Sequence, residues 1–451
     1  MNFKILGLLM LISISPVGFA DGSSNEISEA FRAYKTLSST CRTQFEKLAN
    51  LGFHPSMYQV PEDWSHPEGK KIGLVYYLKE DFQPQNTVIF FNGGPASPAG
   101  SSIETLKILS DKHPINFVVF DQRGTGCSSP FPEDAEKIAL YSSRSIVNDA
   151  EALRKFLLGE RKWKVFGQSY GGLIVQRYLE TRPSGVSSAY SHGYSQMTDT
   201  IQGLVYRLKK QAELSKEKIG QFDDPKMGHE KDSISLLEKV KTFKPTICVD
   251  DNSRRLCGQS LIDSLFIYLG FQNNWFIDVL TGFVESKEDL APSWQSFFVE
   301  NMINRSLKNY VAQNVLSIID ITGFDDYEYC RLAMSHPDYA RFQLDKAFVN
   351  ECRYITSLFK GERRDIFQKF KRDPIDYARV KTNIQRYGIK YFLYAGQADG
   401  FIPEEFFSEQ RRALGSSVNF SVFPQSGHEG YSTEKKIISD LTRDSEIFGD
   451  E

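Results

Sequence analysis

Between about residue 70 and residue 195 the sequence alternates short runs of β-formers with stretches of helical spacing. The β-rich runs are IGLVYYL, TVIFF, INFVVFDQRG, WKVFGQSYGG and VSSAYSHGY. Among them, SIVNDAEALRKFLLG and LIVQRYLETRP carry apolar residues at helical spacing, the second stopped at Pro183. Such alternation implies a mostly parallel sheet with helices on both faces. The rhythm breaks near Ser195, where a charged, largely helical and irregular stretch begins. It resumes at IKYFLYAGQADG, followed by the helical PEEFFSEQRRAL, the strand VNFSVF and a terminal helix STEKKIISDLTRD. The expected architecture is one α/β core in two parts, 71–194 and 386–451, interrupted by a helical cap over 195–385 and preceded by an extension over 21–70. An apolar fraction of 41% suffices for such a core, and a formal charge of −3 gives no electrostatic case for nucleic acid or an acidic membrane.

The first twenty residues, MNFKILGLLMLISISPVGFA, have an early Lys4, an apolar run, and small residues at Gly18 and Ala20. That is the layout of a secretory signal peptide cleaved after Ala20, and it predicts a secreted or periplasmic protein with no stable membrane insertion after cleavage. The rival reading, an uncleaved anchor, needs a longer apolar run than this one. In an oxidising compartment the six cysteines are expected to form disulfides. Cys248–Cys257 and Cys330–Cys352 would close short local loops and leave Cys41–Cys127 by elimination. No C-x-x-C or clustered Cys/His spacing favours a metal, and no cofactor is expected.

FGQSYGG sets Ser169 in a G-x-S-x-G frame, Gly167 to Gly171, between an apolar strand and a helix. A serine at such a sharp strand-to-helix turn needs glycines two residues either side, where any Cβ would clash. The serine in turn needs a base and an orienting acid, in the chain order Ser, Asp or Glu, His. Of seven histidines, only His192 and His428 lie downstream at expected strand ends of the core, and His428, in PQSGHEGY, comes late enough. Asp399, in AGQADGFIP, ends the preceding strand and is the expected acid. Asp121, in FDQRG, precedes the serine and is read as structural, with Arg123 as its partner. The loop FFNGGPASPAG follows a strand and has neither a phosphate-loop lysine nor a G-x-G-x-x-G pattern. Its expected task is to present the N–H of Gly94 to an oxyanion, beside the N–H of Tyr170, the residue after the serine.

Together, NGGPASP, DQRGTGCSSP, GQSYGG, GQADGFIP and SGHEGY resemble the α/β-hydrolase serine peptidases of the proline iminopeptidase and tripeptidyl aminopeptidase family. VPEDWSHPEGKKIGLVYY is similar to that family's opening segment. The resemblance covers roughly 58–195 and 388–445 and implies an α/β-hydrolase fold with a helical cap shaping the pocket. It also implies removal of N-terminal residues or short peptides, with Ser169, His428 and Asp399 as triad and Gly94 and Tyr170 as oxyanion donors. Two departures stand out. Asn92 and Ala96 replace the ends of the family's H-G-G-P-G, and the cap lacks the tryptophan–glutamate pattern that holds a substrate's amine in proline iminopeptidases. NGGP…SS and DQ…GTG also resemble serine carboxypeptidases, where a glutamate stands at the place of Gln168. The alternatives to an aminopeptidase are thus a carboxypeptidase-like enzyme, an esterase or lipase, and an inactive binding protein.

Overall fold

The computed structural model describes residues 39–113, 115–196, 206, 210, 213, 248–251, 254–257, 307–335, 365–400, 402–424, 426–428 and 435–446. The expected signal peptide, Cys352 and much of the expected cap lie outside the described residues. The chain divides into two units, Met1–Lys47 and Leu48–Glu451. Helix α1 (Ser39–Asn50) contains what is described of the first. No helix among the described residues is long and apolar enough to cross a membrane.

The strands, in chain order, begin with β1 (Phe53–Pro61), β2 (Lys71–Lys79), β3 (Thr87–Phe91), β4 (Asn116–Phe120), β5 (Trp163–Gln168) and β6 (Val186–His192). They continue with β7 (Cys248–Asp251), β8 (Arg254–Cys257), β9 (Lys390–Gly396) and β10 (Asn419–Phe423). Eight of them form one sheet in the order β1-β2-β4-β3-β5-β6-β9-β10, while β7 and β8 pair separately. β2 runs antiparallel to β1 and β4. From β4 to β10 every pairing is parallel. β3 and β5 are buried throughout, the uninterrupted apolar reading expected of parallel strands covered on both faces. β1 was not legible as a strand, because its FHPSMYQVP carries Pro55 and Pro61; it lies at the sheet edge, where a missing N–H is tolerated.

The chain leaves β3 for β4 on one side and returns to β5 on the other, then continues outward through β6, β9 and β10. The carboxyl ends of β3 and β5 therefore flank the point where strand order reverses, the place where open α/β sheets present a crevice. A row of aromatic side chains keeps these strands in register: Phe90 stands opposite Phe166, Phe166 opposite Tyr190, and Tyr190 opposite Phe392. The ring centroids of Phe90 and Phe166 are 5.3 Å apart edge-on, and Tyr190 and Phe392 stack at 5.1 Å. Such pairs add about 0.5–1.5 kcal/mol beyond their burial.

Helices α2 (Gly100–Lys112), α3 (Ala135–Ile138), α4 (Ser143–Leu158) and α5 (Tyr170–Thr181) follow the strands of the first core part. α6 (Leu307–Ser317) runs into a π-helical turn, Ile318–Thr322, ahead of α7 (Asp326–Ser335). α8 (Tyr377–Tyr387), α9 (Phe407–Leu414) and α10 (Lys435–Glu446) complete the set. The main core joins Ile89, Phe91, Val118 and Val165 of the sheet to Val147 and Leu153 of α4, Leu173 and Ile174 of α5, and Val380 and Ile384 of α8. Asp376 caps α8 by accepting from the Arg379 N–H, and Gly388 ends it in the left-handed region. A second cluster packs Ala312, Val315, Leu316 and Ile319 against Val60, Ile72 and Leu74, so α6 and its π turn lie on the β1–β2 end of the sheet. At the other end, α10 accepts from the sheet: Tyr394 Oη donates to Asp440 Oδ2 at 2.8 Å and Lys164 Nζ to the Leu441 carbonyl at 3.0 Å.

Cys41, Cys127 and Cys330 are disulfide-bonded. Cys248 and Cys257 stand opposite each other in the β7–β8 ladder.

One expected pairing is corrected by the structure. Arg123 does not pair with Asp121; it forms a fully buried bidentate pair with Asp149 of α4, at 2.7 and 2.5 Å. Its remaining N–H groups donate to the carbonyls of Pro61, Glu62 and Leu140, and Trp64 Nε1 donates to Asp149 at 2.9 Å. Burial pushes the Asp149 carboxyl up and the Arg123 charge pulls it back down. Asp121 instead accepts from Tyr77 Oη and from the N–H groups of Ala99 and Cys127, and burial pushes its carboxyl up. Sequence proximity made Arg123 look like the partner of Asp121, whereas the arginine turns away to gather the end of β1 and the start of α4. Asp149→Ala would strand a buried guanidinium, and guanidinium chloride unfolding should show a loss of about 3–5 kcal/mol.

Candidate active site

The turn between β5 and α5 carries Ser169 at φ 55° and ψ −123°, a left-handed conformation that costs a non-glycine residue roughly 1–3 kcal/mol. Its neighbours make the turn possible. A Cβ on Gly171 would fall on the Phe91 carbonyl, and one on Gly167 would fall on the Gly171 carbonyl. β3, β5 and α5 therefore meet at van der Waals limits directly behind the serine. Backbone bonds hold the strained residue, its N–H donating to the His192 carbonyl at 2.8 Å and its carbonyl accepting from Gly172 at 2.7 Å.

His428 lies in the loop after β10, and its Nε2 is 2.9 Å from Ser169 Oγ. On the other side of the ring, Nδ1 is 2.7 Å from Asp399 Oδ2. The second oxygen of Asp399 accepts from the Ile402 N–H at 2.9 Å, which aims the carboxylate. Asp399 is fully buried and His428 nearly so. The structure thus brings together Ser169, His428 and Asp399 from three separate strand ends. His192, the other histidine considered, is buried at the end of β6, and burial pulls its imidazole down to about 4. It is neutral near pH 7, and its backbone carbonyl accepts from the Ser169 N–H.

The loop after β3 runs alongside. A Cβ built on Gly93 would lie 3.4 Å from the Ser169 Cβ, an ordinary contact, and 2.7 Å from Gln168 Oε1, so a side chain here would displace the Gln168 amide. Gly94 has φ 127° and Ala96 φ 67°. Asn92, a departure from the resembled family, accepts from Ser102 Oγ at 2.5 Å and donates to the Pro98 carbonyl at 2.9 Å. Its own carbonyl accepts from Gln122 Nε2 at 3.2 Å. The asparagine therefore folds the loop back onto the start of α2. The departure itself was the available signal, but its meaning needed the loop's three-dimensional path.

Two further residues come from the α6 segment, and nothing in the linear pattern singles them out. Gln313 donates to the Pro95 carbonyl at 3.3 Å. Asp320, on the π turn, accepts from Tyr170 Oη at 2.7 Å, and from the N–H and Oγ of Ser143 at 3.0 and 2.6 Å. Burial pushes the Asp320 carboxyl up against the pull of these donors. Burial and then Asp320 push the Tyr170 phenol well up, so it stays a donor. One segment thus touches both the β3 loop and the residue following Ser169. Among the described residues no cluster of His, Cys, Asp and Glu could hold a metal ion. Tyr170→Phe would leave a buried carboxylate short of one donor, and urea unfolding should report a loss of about 1–3 kcal/mol.

Residues 86–217 match the family described as the alpha/beta hydrolase fold. The chain is 33% identical to the proline iminopeptidase of Neisseria gonorrhoeae over 140 residues, which are 30% of this chain and 42% of that protein. It is 25% identical to the proline iminopeptidase of Aeromonas sobria over 165 residues, 32% of this chain and 38% of that protein. The chain therefore spans less than half the length of either relative. A thermophilic esterase from Thermogutta terrifontis aligns with a TM-score of 0.42 at 14% identity, over 86% of this chain and 97% of that one. The matched stretch contains β3 with its glycine loop, the β5–α5 turn with Ser169, and β6, the elements that meet at the strand-order reversal. The chain accordingly has an α/β-hydrolase fold and, over part of its length, resembles the proline iminopeptidases.

Proposed function

We propose that this chain is an exported serine hydrolase acting as an aminopeptidase on short peptides. The observation that carries the reading is His428, with one ring nitrogen on Ser169 Oγ and the other on Asp399. Ser169 Oγ attacks the scissile carbonyl carbon while His428 Nε2 takes the hydroxyl proton. The imidazolium then gives that proton to the leaving amine as the C–N bond breaks, leaving an acyl-serine. Water repeats the sequence and releases the acid. Asp399 holds the Nδ1–H tautomer and stabilises the charged ring. The N–H groups of Gly94 and Tyr170 receive the oxyanion, and loss of one such donor raises the barrier by about 3 kcal/mol. No step requires a metal or organic cofactor.

The peptide substrate rests on the named proline iminopeptidase relatives and on the motif set NGGP, GQSYGG, GQADG and SGHEG. Export rests on the leader-like first twenty residues and the six cysteines. A carboxypeptidase reading comes second. Against it stands Gln168, whose amide is spent on the His428 carbonyl at 2.8 Å, where a carboxypeptidase carries a glutamate.

Purified enzyme should cleave an aminoacyl anilide in preference to an N-blocked peptide with a free C-terminus or a short-chain ester. Turnover of the N-blocked peptide alone would replace the aminopeptidase reading with the carboxypeptidase one, and turnover of the ester alone would make it an esterase. A fluorophosphonate should label the wild-type chain and neither Ser169→Ala nor His428→Ala. Wild-type rates in Ser169→Ala would sink the mechanism.

A further inference from the structure

Gln168 immediately precedes the nucleophile position, yet its side chain does not face solvent. It is buried at the end of β5 and extends between two loops. Its Nε2 donates to the backbone carbonyl of His428 at 2.8 Å. Its Oε1 lies where a Cβ on Gly93 would come within 2.7 Å, so the amide slides under the β3 loop through the gap that glycine leaves. One side chain thus touches the histidine loop and the glycine loop from the strand that delivers the serine. His428 belongs to a loop that must hold its ring to within about 0.5 Å for proton transfer. The Asp399 carboxylate and Ser169 Oγ hold the ring, whereas Gln168 holds the backbone carbonyl behind it.

We propose that Gln168 is a positioning residue that fixes the His428 backbone against the nucleophile turn, and that a permanently neutral donor at this place is what lets the site work at neutral and alkaline pH. The inference rests on the reading of Ser169 and His428 as nucleophile and base, and on nothing about which substrate is cleaved.

The chemistry of the contact makes this testable. The acceptor is a carbonyl, so the partner must donate a proton. A glutamine does so at every pH. A glutamate of the same length does so only as the carboxylic acid; ionised, it sets a buried negative charge against a carbonyl oxygen. Among the described residues, the titratable groups around the position are few. His428 itself lies on one side with Asp399 behind it. His192 stands directly across the β5–β6 ladder from Gln168 and is neutral above about pH 4. On the β3 side Asn92, Gly93 and Gly94 bring no titratable group.

Three proteins are compared by the rate of fluorophosphonate labelling of Ser169 from pH 5 to pH 9: wild type, Gln168→Glu and Gln168→Met. Gln168→Glu should label about tenfold more slowly than wild type at pH 8 and recover to within about threefold at pH 5.5, as burial keeps the new carboxyl protonated there. Gln168→Met, which fills the space without a donor, should be slowed by a similar factor at every pH. Thermal unfolding of each variant at both pH values separates slowed chemistry from lost fold. If Gln168→Glu runs parallel to wild type, or if both variants lose the same factor at all pH values, the inference fails while the catalytic reading stands. If His428→Ala labels at the wild-type rate, the reading fails and takes the inference with it.

Discussion

Behind Ser169, the backbone of α5 presses on the backbone of β3 with no room for a side chain at Gly171. That contact decides where the serine sits relative to everything else. It forces the turn after β5 into the left-handed region at Ser169, and it puts the carboxyl end of β3 beside the nucleophile position. The glycine loop after β3 then runs past Ser169 with the Gln168 amide tucked against Gly93, in space a side chain there would take. The strained turn is tolerable because it grows out of the most thoroughly buried strands of the sheet, held in register by the aromatic row from Phe90 to Phe392. A floppy scaffold would relax the serine into an ordinary conformation and lose its projection.

Around this contact the protein buries polar side chains to hold loops rather than to add net stability. Arg123 and Asp149 tie the end of β1 and the loop after β4 to α4. Asp320 ties a turn from beyond the strand-order break to Ser143 and Tyr170. Arg177 pairs with Glu180 at 2.6 Å and also donates to the Asp373 carbonyl, fastening α5 to the chain ahead of α8. Buried ion pairs often break even against an apolar filling. Here the contacts that join separate segments are Arg123 to Asp149, Asp320 to Ser143 and Tyr170, and Arg177 to the Asp373 carbonyl.

What could be read from the sequence follows from this division. The parallel strands were legible because burial on both faces makes them near-continuous apolar runs, as in TVIFF and NFVVF. Ser169 was legible because its turn demands glycines at fixed offsets, and His428 and Asp399 because chain order leaves few candidates. β1 was hidden by its prolines and mixed polarity. The partner of Arg123 was misread because the nearest carboxylate in sequence, Asp121, already has three other donors. Asp320, Gln313 and the task of Asn92 were not legible at all, since each depends on a contact between segments that no local pattern encodes.

Two neighbouring strands of the sheet belong to different eras of synthesis. β6 ends at His192, and its neighbour β9 begins at Lys390, with Ser188 paired to Lys390 in the ladder they share. Joining the ends of a long excursion costs little more than joining those of a short one, about 0.6 kcal/mol for each doubling. The length of the stretch between therefore weighs little on the ladder, whereas its Gln313 and Asp320 hold the β3 loop and Tyr170 and are not exchangeable. The same arrangement leaves a liability. Until residue 390 has been made, β6 is a bare parallel edge of buried-type residues, the kind of surface to which stray strands add. A chain made as far as residue 195 contains Ser169 and the β3 loop, but neither His428 nor the strand that covers β6.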